Sequence, residues 1–324
     1  MDRRRFLLTS LAGALAAPLV TEGQQAGKVY RIGLLENVLS DELLSAVSAG
    51  LRERGWVEGQ NFVWERRFSE GRNERFPSLA AELVQGKPDI IITAGTAATL
   101  AAKAVTTTIP IVFHSVGDPV GSGIVASLGR PGGNATGLGG LGPGLHAKML
   151  ELFKEAVPRA SRIGLLVNPA FRLHTTYRNE IDPVATKINV TLVPIEIQAP
   201  EQLDDAFATA ANRKLDGLMI LGQPMMFVFR NQVAKLALAH RIPAIILWSE
   251  AVEAGVFMSY GDRTIDYMQR VPHYVDRILR GANPSELPVE QSTRFYLSIN
   301  LKTAKALGLT IPPSLLARAD QVIE

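Results

Sequence analysis

The chain of 324 residues carries 34 Lys and Arg against 31 Asp and Glu, and its formal net charge of +3 is too small to indicate a nucleic-acid-binding surface. Apolar residues make up 47% of the chain and charged residues 20%, which excludes an intrinsically disordered protein. The Cys count of 0 excludes disulfides, Cys-ligated metals and a Cys nucleophile, and the length indicates two α/β domains of ordinary size.

The N-terminus has the pattern of an export signal. "MDRRRFLLTSLAGALAAPLV" starts with basic residues and continues with an apolar core from Phe6 to about Ala17, which is too short to span a bilayer well. Arg3 and Arg4 resemble the pair of a twin-arginine signal, and the small residues near Thr21–Gly23 suit a signal peptidase. We therefore expect residues 1–23 to be a signal peptide and the mature protein to be periplasmic, without stable membrane insertion. An uncleaved membrane anchor is the alternative.

One heptapeptide occurs twice. "RIGLLEN" at Arg31–Asn37 and "RIGLLVN" at Arg162–Asn168 share six of seven residues and lie 131 positions apart. Three further pairs follow in the same order at offsets of 128, 127 and 133: "NFVWERRF" with "NVTLVPIEI", "KPDIIITAG" with "KLDGLMILG", and "IPIVFHS" with "IPAIILWS". Four matches in one order at nearly constant spacing predict an internal duplication of a βα unit.

Each half alternates short apolar runs with longer amphipathic ones. In the first half, Asp41–Gly55 and Phe76–Pro88 have helical spacing, with Asp41 as a candidate N-cap and Gly55 and Gly86 as candidate stops. The short runs are apolar on both faces, as buried parallel strands are: Val29–Leu35, Ile90–Thr93 and Ile109–Phe113. The second half repeats the alternation. We predict an α/β protein with two lobes, each a doubly wound parallel sheet.

A Gly-rich segment, Gly129–Gly144, lies between the halves and predicts a hinge. Further crossings are expected near Gly255–Arg263 and Arg294–Asn300, so that the helical segment Ile265–Arg280 returns to the first lobe. The expected first lobe is then 28–138 plus about 258–293, and the second is 139–257 plus about 294–324. A multi-strand hinge of this kind is typical of proteins that close a cleft around a ligand.

Residues at the carboxyl ends of the predicted strands are candidates for ligand binding, because such sheets bind ligands at that edge. The stretch "TAGTAAT" is the most informative, since Gly95 permits a turn and the free N–H groups of the following helix suit a carboxylate. The residues nominated from both halves are Glu36, Asn37, Gly95, Thr96, Ala97, Ser115, Asp118, Asn168, Gln223, Trp248 and Glu250.

Each nomination has a simpler structural alternative. Thr96 also suits a helix cap, and Asp118, proposed to pair with a ligand ammonium, also suits an Asp-Pro turn. Glu250, the counterpart of Asp118, also suits a solvated surface. Aromatic residues near these loops offer apolar walls for a ligand: Phe171, Tyr177, Phe227 and Trp248.

The sequence contains no convincing motif for binding a cofactor or a metal. "GLGGLG" at Gly137–Gly142 fits the dinucleotide-binding pattern G-x-G-x-x-G in sequence. It lies in the predicted hinge and Pro143 follows it, so we do not expect it to bind a dinucleotide. The five His show no metal-binding spacing, and neither a phosphate-binding P-loop nor a nucleophile elbow is present. We expect no cofactor, no metal and no catalytic residue.

Two segments resemble a known family. "IPIVFHSVGDPVGSGIVASLGRPGGNATG" (Ile109–Gly137) and "INLKTAKALGLTIPPSLLARADQVIE" (Ile299–Glu324) are similar to signature segments of the ABC-transporter substrate-binding proteins that include tryptophan- and tyrosine-binding members. The resemblance implies a type 1 periplasmic-binding fold, no catalysis, and delivery of a small solute to a permease driven by an ATPase. After Asn168-Pro169 this chain reads "AFRLHTTY", where the family often has a second Asn-Pro; that loop is expected to face the cleft, so the ligand need not be that of the tryptophan binders.

We therefore expect a monomeric binding protein for a small carboxylate, such as an aromatic or branched amino acid, held by hinge closure. Its partners are then the ligand and the permease and ATPase subunits, with no nucleic acid. A ligand-sensing receptor domain is one alternative. An exported enzyme is another, with Asp118 and His114 as its acid/base pair.

Overall fold

The computed structural model describes residues 28–38, 41–139, 142, 144–169, 173–292 and 294–324. The expected signal peptide at 1–23 and the aromatic candidate Phe171 lie outside these ranges. Within them, no helix combines the length and the apolar character that crossing a membrane requires.

The first half of the chain forms a parallel sheet with helices on both faces. Its strands and helices, in chain order, are β1 Tyr30–Glu36, α1 Asp41–Glu53, β2 Phe62–Phe68, α2 Phe76–Gln85, β3 Ile90–Ala94, α3 Gly95–Val105, β4 Ile111–Val116 and β5 Ala135–Gly139.

The second half repeats this arrangement and then extends it. Its elements are α4 Leu145–Ala156, β6 Arg162–Val167, α5 Leu173–Lys187, β7 Thr191–Glu196, α6 Leu203–Asn212, β8 Gly217–Ile220, α7 Pro224–Val228, α8 Arg230–Ala239, β9 Ala244–Ile246, α9 Ser249–Glu253 and β10 Met258–Gly261. The remaining elements are α10 Thr264–Leu279, β11 Glu290–Gln291, β12 Tyr296–Asn300, α11 Leu301–Ala306, α12 Pro313–Leu316 and β13 Gln321–Ile323.

The described strands form two sheets, with the orders β11-β5-β4-β3-β1-β2 and β13-β12-β10-β9-β8-β6-β7. We call each sheet, with the helices packed on it, a lobe. All neighbouring strands of the first sheet are parallel, whereas β12 runs antiparallel to β10 in the second. The predicted α/β class with two parallel-sheet lobes is confirmed. The antiparallel pair was not anticipated, because it forms only after the chain returns from the first sheet.

The ends of the helices show how the local sequence sets their length. After α1, Gly55 has φ +88°, its N–H bonds the Arg52 carbonyl, and the Trp56 N–H bonds the Leu51 carbonyl, which is a Schellman stop. Gly86 after α2 instead has an ordinary φ of −67°, and the left-handed residue is Lys87 at φ +51°. The predicted stop therefore lies one residue later than Gly86.

The duplication predicted from the sequence is repeated in the backbone hydrogen bonds. The Asp89 side chain accepts from the Arg31 N–H at 2.8 Å, and the Asp89 N–H returns to the Arg31 carbonyl at 2.8 Å. Asp216 and Arg162 make the same two bonds at 2.8 Å each. Both halves therefore fix the start of their first strand against the next strand by the same device.

Helix α10 connects the lobes in an unusual way, because it follows a strand of the second sheet and packs on the first. Its buried side chains, Val271 and Val275 among them, share one apolar core with Val47 of α1. The indole Nε1 of Trp56 donates to Asp276 of α10 at 2.8 Å. The chain therefore crosses from the second lobe to the first in the segment from Gly261 to Thr264.

Candidate functional site

The two lobes face each other across one cleft, into which the carboxyl ends of both sheets open. The first lobe contributes Glu36 at the end of β1 and Asn37 after it, Gly95 and Thr96 at the start of α3, and Ser115 near the end of β4. The second lobe contributes Gln223 and Trp248 among other residues. The cleft encloses about 830 Å³, including the part open to solvent. Gly95 and Trp248, which the sequence nominated from opposite halves, thus line the same space. We call it the inter-lobe cleft.

The N-terminus of α3 is held open toward the inter-lobe cleft. Gly95 adopts φ +76°, and the N-cap residue Ala94 makes no side-chain cap bond. The Thr99 hydroxyl donates to the Gly95 carbonyl at 2.7 Å and lies 2.8 Å from the Thr93 hydroxyl, so the turn is fixed from behind. No hydrogen bond joins the Thr96 hydroxyl to another part of the chain that the structure describes. The first-turn N–H groups of this eleven-residue helix are therefore available to an anion.

A buried pair forms the floor of the first-lobe side. His114 Nε2 lies 2.9 Å from Glu36 Oε1, and both side chains are at least nine-tenths buried. The other ring nitrogen of His114 lies 3.1 Å from the Ser115 hydroxyl, and Ser115 has the left-handed φ of +55°. Glu36 thus has a partner within its own lobe, and it does not need a ligand to satisfy its buried charge.

The second-lobe wall combines an amide pair with aromatic rings. Asn168 Nδ2 donates to Gln223 Oε1 at 3.1 Å, and Gln223 Nε2 is buried without a hydrogen-bond partner among the described residues. The Phe227 and Trp248 rings meet edge to face with centroids 5.6 Å apart. Tyr177 also lines the cleft, and burial raises the pKa of its hydroxyl, which stays neutral. The wall offers one unsatisfied amide donor and an apolar surface.

A further carboxylate enters the cleft from the segment that joins the lobes. Asp262 is 7% exposed and accepts a hydrogen bond from the Tyr267 hydroxyl. Burial raises the pKa of Asp262 to about 6, and the bond from Tyr267 partly offsets that effect. The Tyr267 ring stacks near His114, with centroids 6.1 Å apart. Asp262 was not nominated from the sequence.

The charge of the cleft is one-sided. Its charged or ionisable lining residues are Glu36, Asp262 and His114, together with the neutral Tyr177, and neither Lys nor Arg is among the described lining residues. An anionic ligand group therefore has only backbone and polar donors to bind, with the α3 N-terminus as the strongest of them.

The family model described as ABC transporter substrate binding protein matches residues 32–323. The chain belongs to this family. It is the substrate-binding protein of an ABC transporter, and its partners are a small-molecule ligand and the transporter. The family consists of binding proteins rather than enzymes.

Relatives and solved structures agree with this assignment. The chain is 26% identical to a tyrosine-binding protein of Clostridioides difficile, over 94% of this chain and 93% of the relative. It is similar to a conserved domain protein from Vibrio cholerae, at 28% identity and TM-score 0.84, covering 91% of this chain and 100% of that one. It is also similar to an ABC domain from Streptococcus pneumoniae in complex with L-Trp, at 25% identity and TM-score 0.83, covering 91% and 100%.

A ligand-free, open substrate-binding protein from Clostridium difficile gives a lower TM-score of 0.64 at 25% identity, covering 91% of this chain and 99% of that one. The fold of the substrate-binding protein is that of the type 1 periplasmic binding proteins.

The structure does not bring four of the nominated residues into the cleft lining. The Ala97 side chain packs against the first-lobe core. Asp118 Oδ1 accepts from the Gly121 N–H at 2.8 Å, which is the turn that Asp-Pro favours. Glu250, in the first turn of α9, lines an outer groove that adjoins the cleft at Phe227. Asn168 lines a neighbouring hollow and contacts the cleft residue Gln223, to whose Oε1 its Nδ2 donates at 3.1 Å.

Sequence reasoning missed Asp262 and Thr264, which line the cleft beside the nominated residues. Both follow β10, which is in the segment Gly255–Arg263 that was expected to cross between the lobes. A charged residue at the end of an expected crossing was the available signal.

Proposed function

We propose that this substrate-binding protein holds a small carboxylate, an amino acid with an aromatic or branched side chain, in the inter-lobe cleft and delivers it to the permease and ATPase subunits of an importer. It acts as a monomer in the periplasm after removal of the N-terminal signal. The observation that carries the proposal is the uncapped N-terminus of α3, which faces an aromatic wall across a cleft lacking Lys and Arg among its described lining residues.

In this proposal, the ligand carboxylate accepts hydrogen bonds from the first-turn N–H groups of α3 and from the Thr96 hydroxyl. The ligand side chain packs on Phe227 and Trp248, and Gln223 Nε2 donates to a polar atom of the ligand. One aromatic wall that buries about 150 Å² at about 25 cal/mol/Å² contributes roughly 4 kcal/mol. Micromolar binding needs about 8 kcal/mol, so the carboxylate and the wall together have the right magnitude.

Closure of the lobes is the step that couples binding to transport. A ligand that contacts both Thr96 and Trp248 favours the closed form by the free energy of its second-lobe contacts. The relatives named above are a tyrosine-binding protein and a complex with L-Trp, which supports an amino acid as the ligand.

The geometry also supports binding without catalysis. Asp118 and His114, the acid/base pair considered from the sequence, each hydrogen-bond a different partner. Asp118 accepts from the Gly121 N–H, and His114 lies within hydrogen-bond distance of Glu36. A cleft that binds and releases its ligand unchanged needs no such pair.

Isothermal titration with a panel of L-tryptophan, L-tyrosine, L-phenylalanine, L-leucine and aromatic carboxylic acids tests the proposal. We expect at least one panel member to bind with micromolar or better affinity. The variant Thr96→Val is expected to weaken that binding about tenfold through loss of one charge-assisted hydrogen bond, whereas Thr96→Ser keeps it. Absence of heat for every member contradicts the carboxylate ligand, and equal affinities of the Val and Ser variants contradict the role of Thr96.

A further inference from the structure

Asp262 differs from the other carboxylates of the described chain in having burial without a cation. Its side chain is 7% exposed, and the only side chain that hydrogen-bonds it among the described residues is Tyr267, a neutral donor. The other buried carboxylate of the cleft, Glu36, lies 2.9 Å from His114. Buried charges in proteins are normally paired, because an unpaired one has lost its hydration without compensation. Asp262 therefore lacks a positive group at the cleft wall.

The groups facing Asp262 from neighbouring elements do not supply that positive charge. Glu250 of α9 and Asp266 of α10 both raise the pKa of Asp262 through their negative charge, after the larger effect of burial. The adjacent Arg263 points to Asp266, with Nη2 2.8 Å from Oδ1, and it stacks on Tyr296. Since no cation of the described residues faces Asp262, a positive group of the ligand is the counter-charge that remains.

Asp262 lines the same cleft as the expected carboxylate site. In the register of the first sheet, His114 is paired with Ala94, the N-cap residue of α3. The His114 ring stacks near Tyr267, and Tyr267 bonds Asp262. The α3 N-terminus and Asp262 are thus separated by two side chains and line the same cleft.

We propose that Asp262 binds the ammonium group of the ligand, so that the cleft selects amino acids carrying both charges over carboxylates that lack the ammonium. This rests on the proposed function and adds the class of ligand and the residue that selects it. Because Asp262 lies between β10 of the second lobe and α10 of the first, an ammonium on it contacts the segment through which the lobes are joined.

Titrations of L-tryptophan and indole-3-propionate, which differ by the ammonium group, test the proposal in the full protein. The wild type is expected to bind L-tryptophan at least tenfold more tightly than indole-3-propionate, because a charge-assisted bond to a desolvated carboxylate is lost. In Asp262→Asn the preference is expected to shrink to about twofold, with L-tryptophan weakened and indole-3-propionate unchanged. Glu253→Gln, which changes an exposed acid of the outer groove that does not shift the pKa of Asp262, is the matched control and should keep the wild-type preference.

A second measurement needs no variant. At pH 6, binding of L-tryptophan is expected to release protons from the protein, because the ammonium favours the ionised form of Asp262. Binding of indole-3-propionate, which has no ammonium, is expected to release none. Titration in two buffers of different protonation enthalpy measures the difference. If L-tryptophan binds the wild type but Asp262→Asn keeps the full preference and no protons are released, the role of Asp262 is wrong and the proposed function stands. If no member of the panel of amino acids and aromatic carboxylic acids binds the wild type, both proposals are overturned.

Discussion

At the scale of single residues, the buried carboxylate of Asp262 lowers the free energy of unfolding of the ligand-free protein, compared with a neutral side chain at the same position. Burial raises the pKa of Asp262 from its ordinary value of 3.8 to about 6. Above pH 6, folding therefore forces a buried negative charge. As the pH falls from about 6 toward 4, the folded state takes up the proton while the unfolded state is still ionised, and this destabilisation disappears.

Asp262→Asn is accordingly expected to raise the free energy of unfolding of the ligand-free protein at pH 8, by about 3 kcal/mol at most, with little change at pH 4. Urea unfolding at pH 4, 6 and 8 measures the difference. As a control, Asp182→Asn, which removes the exposed ion pair with Arg178 in α5, should leave stability unchanged or lower it slightly at each pH. A destabilised Asp262→Asn at pH 8 contradicts the prediction.

The residues that could be found from the sequence are those set by local rules. Glu36 ends a recognisable strand, and Gly95 and Trp248 each follow one. The carboxyl end of a parallel strand is where such sheets bind ligands. Asp262 could not be found in this way, because its burial depends on Tyr267 and on strands more than a hundred residues earlier. The placement of Asp118 depends on the turn that it makes with Gly121, which competes with a position in the cleft.

At the scale of elements, the packing of α1 on α10 depends on a missing side chain. A Cβ at Gly50 would lie 2.8 Å from Cγ and 3.1 Å from Cβ of Pro272, closer than side chains pack. Gly50 is buried inside α1, where replacement by Ala would otherwise gain up to about 1 kcal/mol of helix propensity.

We therefore expect Gly50→Ala to lower the free energy of unfolding by about 1–2 kcal/mol, because overpacking costs more than propensity gains. In the background of Pro272→Ala, the same change should be neutral or stabilising. A double-mutant cycle in urea isolates the coupling between the two positions. Additive effects of the two changes contradict a direct steric contact.

Element positions were largely predictable, and their ends and long-range pairings were less so. The expected helix at 265–280 is found as Thr264–Leu279, and the expected strand at 90–93 is found as Ile90–Ala94. The strand expected at 109–113 is shifted to Ile111–Val116, because Ile109 and Pro110 belong to the connection before it. The antiparallel pairing of β12 has no local signal, since it is decided by where the chain re-enters the second sheet.

At the scale of the whole molecule, the lobes contact each other beside the cleft. The Arg72 guanidinium of the first lobe bonds Glu201 of the second at 2.5 Å. A Cβ at the adjacent Gly71 would lie 3.1 Å from Cε2 of Phe229, which is in the second lobe. The higher TM-score against the complex with L-Trp than against the ligand-free open structure agrees with an arrangement in which the lobes are close together.

Gly71→Ala is expected to weaken binding of L-tryptophan at least threefold, because the new methyl group presses on Phe229 only when the lobes close. Gly59→Ala is the matched control: Gly59 has φ +79° against +82° for Gly71, but a Cβ there meets nothing within 4 Å. Both variants should lose about 1 kcal/mol of stability from the left-handed backbone. Titration calorimetry with small-angle scattering measures affinity and closure, and equal affinities of the two variants contradict the prediction.

The return of α10 to the first lobe also sets the order in which the chain can mature during synthesis. A nascent chain that has left the ribosome only as far as Arg263 contains every strand of the first sheet except β11, yet the apolar stripe of α1 is still uncovered. That stripe stays available to chaperones until α10 emerges, after five of the seven described strands of the second sheet have been made. The first lobe to be translated is thus among the last parts to be completed.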